Sequence, residues 1–326
     1  MTAISPPGLG TDTTLRRYND IRELLPDVEN PTPLVRVGRV LPPASELTLF
    51  LKLEWLNPFG SVKDRAAAFM IEELATRRDG RELVEASSGN TAIALAALAA
   101  LEGTRLTVTI PDGVPEEKKV LLRMLGAEVW PTPDDLCPVD HPKDGAIALA
   151  RSLAASEGGG RYLMVDQYRN PFNVEAHYRT TGPEIWRQTG GDLAYFFAGL
   201  GTCGTITGVG RFLKEQDPSI EVVGIEPQPG HRLPGLKSLA EASEPEILDW
   251  SVIDQVVRVD DEPAYAMTRR LFREEGLIVG PSTGAVVHAA TQITGEGLAV
   301  GISPDGGQKY TSYFAELLGD EGLPGV

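Results

Sequence analysis

Short apolar, β-rich runs alternate with helical periods along almost all of this 326-residue chain, and that alternation does most to narrow its fold. Leu34-Val35-Arg36-Val37 and residues 49–53 read as strands joined by a proline-containing loop. Strands at 83–86, 106–110, 128–130 and 162–165 are separated by helical stretches at 91–102, 116–125 and 144–156. The pattern repeats with strands at 193–197, 221–225, 277–279 and 298–302 and helices at 173–188, 205–215, 263–275 and 285–293. Alternation of this kind predicts an α/β protein with mainly parallel sheets flanked by helices. The length suits one large α/β domain or two of ordinary size. Residues 134–143 read as an acidic, proline-rich surface loop, and 228–250 as a long polar excursion of the kind that often carries recognition.

Composition excludes several classes of function. A net charge of −16 repels a polyanion on average, so nucleic acid is not an expected partner. An anionic small ligand is still compatible, because loop amides and helix N-termini act locally. No apolar stretch approaches the roughly 20 residues of a membrane span. Residues 1–14 are polar, with Pro6, Pro7, Gly8 and Gly10, and lack a basic-then-apolar signal pattern. They read as a flexible lead-in to a cytoplasmic protein. Cys137 and Cys203 are the only cysteines, and His141, His177, His231 and His288 are scattered, so neither a disulfide framework nor a metal site is expected.

Four segments carry the chemistry. Lys63 lies in Asn57-Pro58-Phe59-Gly60-Ser61-Val62-Lys63-Asp64-Arg65, after a turn and at the opening of a helix of small residues. A lysine there is either a solvated charge or an amine available for covalent chemistry. Gly199-Leu200-Gly201-Thr202-Cys203-Gly204-Thr205 joins a strand to a helix. Its glycines let backbone N–H groups approach a ligand, and the helix start and the hydroxyls of Thr202 and Thr205 suit a phosphate monoester. Neither the G-x-G-x-x-G spacing of a dinucleotide site nor a Walker lysine is present. Ser87-Ser88-Gly89-Asn90-Thr91 is a second such turn, suited to a carboxylate or to ordinary helix capping. Gly280-Pro281-Ser282-Thr283-Gly284-Ala285 is a third, where Ser282 either caps a helix or faces a ring nitrogen.

Taken together, these segments resemble, in order and over nearly the whole chain, the cysteine synthase and cystathionine β-synthase family of fold-type II pyridoxal-phosphate enzymes. The similarity runs from Asn30-Pro31-Thr32-Pro33-Leu34-Val35 to Asp305-Gly306-Gly307-Gln308-Lys309-Tyr310. The resemblance implies pyridoxal 5′-phosphate as cofactor, joined to Lys63 as a Schiff base. It implies that Asn90 bonds the cofactor's 3′-hydroxyl, that Gly201, Thr202, Cys203, Gly204 and Thr205 hold the phosphate, and that Ser282 faces the pyridine nitrogen. A neutral hydroxyl there weakens the electron sink relative to aspartate and suits β-elimination followed by β-addition. Ser87, Ser88, Gly89, Thr91 and Gln167 are implied to hold the substrate. Arg232 and Lys237, in the long loop, are candidates for a phosphate leaving group or are solvated charges. Cys203 stands where the family usually has glycine, and reads as a packed small residue.

The implied reaction is a ping-pong β-replacement through an aminoacrylate. It makes L-cysteine, or an S-substituted cysteine, from O-acetylserine or O-phosphoserine and a sulfur donor. Cystathionine β-synthase or another β-replacement with a different nucleophile is the alternative; a serine/threonine dehydratase or a non-catalytic partner fits less well. The family fold implies two α/β domains of the tryptophan synthase β type, a smaller mobile one at 65–168 and a larger one at 15–64 plus 169–326. A homodimer, and docking to serine acetyltransferase or a sulfur-carrier protein, are further implications of the resemblance.

Overall fold

The computed structural model describes residues 17–133, 145–155 and 160–318. The lead-in at 1–14 and the loop at 134–143 lie outside the described residues. The chain runs β1 (Leu34–Val37), β2 (Glu46–Leu53), α1 (Lys63–Ala75), β3 (Glu82–Ala86), α2 (Asn90–Leu101), β4 (Leu106–Pro111), α3 (Glu116–Met124) and β5 (Glu128–Thr132). It continues through α4 (Ala146–Ala154), β6 (Tyr162–Met164), α5 (Phe172–Ala176), α6 (Gly182–Thr189), β7 (Tyr195–Gly199), α7 (Gly204–Gln216), β8 (Glu221–Pro227) and β9 (Gln255–Val259). It closes with α8 (Asp261–Arg270), α9 (Pro281–Ala290), β10 (Glu296–Ser303) and α10 (Thr311–Leu318).

Two sheets result. One has the order β5-β4-β3-β6 and is parallel throughout. The other has the order β1-β2-β10-β7-β8-β9, parallel except for the antiparallel β1–β2 pair at one edge. Its interior strands are largely apolar, as in the buried Ala299 and Val300 of β10, because helices cover both faces; Lys52 in β2 is a buried charge among them. Residues 91–99 of α2 are buried all round, which is why its sequence is alanine, leucine and isoleucine without a polar face.

Three features differ from the sequence-based expectation. β9 was not expected: Gln255-Val256-Val257-Arg258-Val259 is a short edge strand with Arg258 exposed, and only pairing with β8 defines it. Residues 277–279 do not form a strand. Gly276 is left-handed, and Leu277 N–H donates back to Leu271 O, so the segment closes a helix and leaves only a bridge from Val279 to Gly306. The helices expected at 173–188 and 263–275 each contain one π turn, at His177–Thr181 and Leu271–Glu275.

The start of α1 is anchored by a buried ion cluster. Arg65 Nε and Nη2 donate to the two Glu54 carboxylate oxygens at 2.7 and 2.9 Å, and Nη2 also reaches Glu184 Oε2 at 2.9 Å. Lys52 Nζ donates to the same Glu184 oxygen at 2.7 Å. All four side chains are at most 1% exposed. Two cations face two anions, and Thr32, Asn57 and Thr180 add hydrogen bonds. Burial pushes the Glu54 carboxyl up, but the Arg65 guanidinium outweighs it and holds Glu54 at about 2. Replacing Arg65 with Met leaves Lys52 as the one cation facing two buried carboxylates and takes from Glu54 its ion-pair partner. The expected loss is about 3–5 kcal/mol, read from urea denaturation of the cofactor-free protein.

Candidate active site

A cavity opens where β3, β7 and β10 end, at the carboxyl edges of both sheets. Ligands of open α/β sheets bind at such edges because strand-to-helix turns present free N–H groups there. Lys63 lies in the cavity wall as the first residue of α1. Val62 N–H donates to Pro304 O at 2.8 Å and Ser61 bridges to Asp305, so this turn is stitched to the segment after β10. Lys63 Nζ has no hydrogen-bond partner among the described residues. Burial lowers the pKa of its amine below the ordinary lysine value, opposed by the nearby Asp305 carboxylate.

The turn after β3 places Ser87, Ser88, Asn90 and Thr91 on the cavity. Ser87 Oγ accepts from the Gly89 and Ala92 N–H groups at 3.2 Å each, so Ser87, rather than Asn90 or Thr91, satisfies this helix start. Gly89 does not line the cavity. A Cβ there would lie 3.2 Å from Lys118 Cδ, and φ is +153°, so this glycine makes room for a lysine side chain. Thr91 Oγ1 donates to Gln167 Oε1 at 2.6 Å, and Gln167 Nε2 donates to Ala86 O at 2.9 Å. Two residues far apart in sequence thus form one hydrogen-bonded wall.

The buried Glu85 carboxylate sets Gln167 in place by accepting the N–H groups of Asp166 and Gln167. Desolvation, reinforced by Asp166, pushes Glu85 up from 4.5 to about 8. Between those values the folded state keeps a proton that the unfolded chain has released. Stability therefore falls as pH rises through that window and levels off above it. Urea melts of Glu85→Gln at about pH 5 and about pH 9 are expected to show a smaller drop than wild type.

The turn after β7 is a backbone cradle. A Cβ on Gly201 would sit 2.6 Å from Gly235 O, and one on Gly204 would sit 2.1 Å from Asn173 Oδ1. Cys203 is left-handed at φ 65°, a conformation that glycine adopts without strain. Its thiol is buried in the core, and burial pushes it up to about 12, so it stays protonated. No side chain caps α7, so the N–H groups of its first turn are left for a ligand. Thr202 Oγ1 accepts from Asn173 Nδ2 at 3.2 Å, and Thr205 Oγ1 lies 3.2 Å from His177 Nε2. Burial, with Arg65 nearby, lowers His177 to about 3 and keeps the imidazole neutral.

Ser282 is buried in the first turn of α9, makes no capping bond and lines the cavity. Lys237 is buried in the wall with Nζ 4.3 Å from the Tyr168 ring centroid. Arg232 is exposed at the rim, its carbonyl accepting from Tyr265 at 2.7 Å. The cavity thus gathers Lys63, Asn90, Gly201, Thr202, Cys203, Thr205, Ser282 and the substrate candidates, while Gly89 and Gly204 shape it from behind. Sequence reading did not assign Lys118, Asp305 or Tyr310 to it. Lys118 Nζ sits 4.9 Å from the Tyr310 ring centroid. In the sequence, Glu116-Glu117-Lys118-Lys119 has the look of a solvated helix face, with no signal of its burial.

The family of pyridoxal-phosphate dependent enzymes matches residues 25–303, and the chain belongs to it. Cysteine synthase B of Pseudomonas aeruginosa is 43% identical over 86% of this chain and 93% of its own length. Cysteine synthase of Aquifex aeolicus is 38% identical over 92% and 94%. Among solved structures, a hydrogen sulfide-producing enzyme from Fusobacterium nucleatum superposes with a TM-score of 0.80 at 30% identity, covering 90% of this chain and all of that one. A lysine-to-alanine mutant of O-ureido-L-serine synthase with O-ureido-L-serine bound gives 0.82 at 33%, covering 94% and 96%.

The site fits that cofactor. It offers a half-buried lysine amine, an uncapped helix start beside two hydroxyls, and a cradle that a Cβ would fill. Gly204→Ala would push Asn173 off Gln167 and Thr202, and is expected to weaken pyridoxal-phosphate binding at least about tenfold in a fluorescence titration.

Proposed function

We propose that this pyridoxal-phosphate enzyme makes L-cysteine, or an S-substituted cysteine, by β-replacement on O-acetylserine or O-phosphoserine with a sulfur donor. The Cβ–O bond breaks, the leaving group departs as an anion, and a Cβ–S bond forms. The observation that carries this reading is the half-buried Lys63, its amine lowered in pKa, in one cavity with the Ser87–Thr91 turn and the uncapped start of α7. The cysteine synthase relatives, similar over most of the chain, support the choice of reaction.

When bound, pyridoxal phosphate supplies the electron sink that lets a proton leave the α-carbon. Lys63, whose lowered pKa raises the fraction of neutral amine, takes that proton as general base. Ser87, Ser88, Thr91 and Gln167 orient the substrate carboxylate. Gly201, Thr202, Cys203, Gly204 and Thr205 receive the cofactor phosphate, Asn90 its ring hydroxyl and Ser282 its ring nitrogen. The buried Lys237 and the rim Arg232 support an anionic leaving group.

Shielding the reaction from water calls for the unit of residues 65–168 to close on the larger one. The working form is a homodimer in the cytoplasm; among the described residues no helix is long and apolar enough to cross a membrane.

The test is cysteine formation by the cofactor-loaded protein with sulfide and either O-acetylserine or O-phosphoserine, followed by mass spectrometry. Product from one names the leaving group, and no product from either overturns the reading. Lys63→Ala is expected to abolish turnover.

A further inference from the structure

The side chain of Asn90 ends in a carboxamide with two chemically opposite ends. Nδ2 donates to Asp305 Oδ2 at 2.6 Å, and Oδ1 accepts from Lys309 Nζ at 3.0 Å. Asp305 follows β10 and is 2% exposed, and the Tyr310 hydroxyl donates to the same carboxylate oxygen. Gly280 N–H donates to Asp305 O at 3.0 Å, and a Cβ on Gly280 would fall 2.1 Å from Asp305 Oδ1. The carboxylate therefore sits in a space that only glycine at 280 leaves open.

A carboxamide's oxygen and nitrogen are alike in shape and opposite in hydrogen bonding. A carboxylate only accepts and an ammonium only donates. Turning the Asn90 amide over would set its oxygen against Asp305 and its NH2 group against Lys309, losing both bonds at a site largely removed from water. We propose that Asp305 and Lys309 are positioning residues that lock the Asn90 carboxamide in one orientation, so that its NH2 group and not its oxygen is the group it can offer to the cofactor. This rests on the reading of Asn90 as the partner of the cofactor's ring hydroxyl. A donor at that hydroxyl stabilises its anionic form, and a flipped amide would present an acceptor and favour the neutral form. Lys309 acts through Asn90, so its effect requires that side chain; Asp305 also faces the Lys63 amine, so only the part of its effect that is lost with Asn90 belongs to the amide.

The experiment is a double-mutant cycle read by cofactor binding. Wild type, Asn90→Ala, Asp305→Ala, Lys309→Met and the two doubles carrying Asn90→Ala are purified without cofactor and titrated with pyridoxal phosphate. Dissociation constants come from fluorescence, and the visible absorption of the bound cofactor is recorded. Asp305→Ala is expected to weaken binding about tenfold and to move the absorption band in the same direction as Asn90→Ala, with Lys309→Met following to a smaller extent. Asp305→Asn, whose amide oxygen still accepts from Asn90, is expected to recover most of the affinity. In the Asn90→Ala background Lys309→Met should not matter, and Asp305→Ala should have a clearly smaller effect than in wild type, keeping only its direct action on Lys63.

Wild-type affinity and spectrum in both single variants would overturn the proposal, and so would effects that simply add in the doubles. The half-buried Lys309 keeps the test available if Asp305→Ala does not fold. No amino-acid substrate enters the titration, so its failure is distinct from failure of the cysteine-forming reading.

Discussion

The guanidinium of Arg65, held between the carboxylates of Glu54 and Glu184, is the interaction on which the rest of the site depends. Residues two apart on an α-helix point about 200° away from each other. With Arg65 fixed in the ion cluster on one side of α1, Lys63 is turned to the cavity on the other. Asp64, between them, accepts Phe59 N–H at 2.6 Å and the Ser61 hydroxyl at 3.2 Å, which shapes the turn leading into the helix. The cluster also gathers its members from far apart: Glu54 follows β2, Glu184 lies in α6, and Lys52 lies within β2. Such a neutral, fully hydrogen-bonded set adds little net stability over an apolar core, but any one missing partner leaves a buried charge. That asymmetry enforces one placement of α1, and with it one placement of Lys63.

Around that amine the site is assembled mostly from backbone. The turns after β3, β7 and β10 bring helix starts and glycine-lined spaces to one cavity, so an acidic chain receives anions through local N–H groups rather than through its overall charge. Side chains then orient one another. Glu85 holds Gln167, Gln167 holds Thr91, Asn173 holds Thr202, and Asp305 with Lys309 holds Asn90. Most of these pairs join residues more than 70 positions apart, and the contacts of Asn90 with Asp305 and Lys309 tie the turn after β3 in one sheet to the segment after β10 in the other.

Much of this was legible in the sequence where a local rule governed it. The buried parallel strands announced themselves as apolar runs, and the turns at 87–91 and 199–205 as glycine and hydroxyl residues between a strand and a helix. β9 was not legible, because a short edge strand with an exposed arginine has no periodicity strong enough to register. Residues 277–279 misled for the opposite reason: Leu277-Ile278-Val279 has strand composition, but its hydrogen bonds close a helix. At Gly89 and Gly204 a Cβ would also meet Lys118 and Asn173, neighbours that no nearby residue predicts.

The sequence by itself determined the α/β class and the glycine- and hydroxyl-rich turns, because each follows from residue type at short spacing, and it singled out Lys63 only through the resemblance of its ordered segments to one family. Tertiary structure alone decided which glycines border the cavity, that Lys118 and Asp305 belong to it, and that the two ends of the Asn90 amide meet Asp305 and Lys309. Those outcomes depend on contacts between segments distant in the chain, and hydrogen-bond direction and packing space exist only once the segments have met.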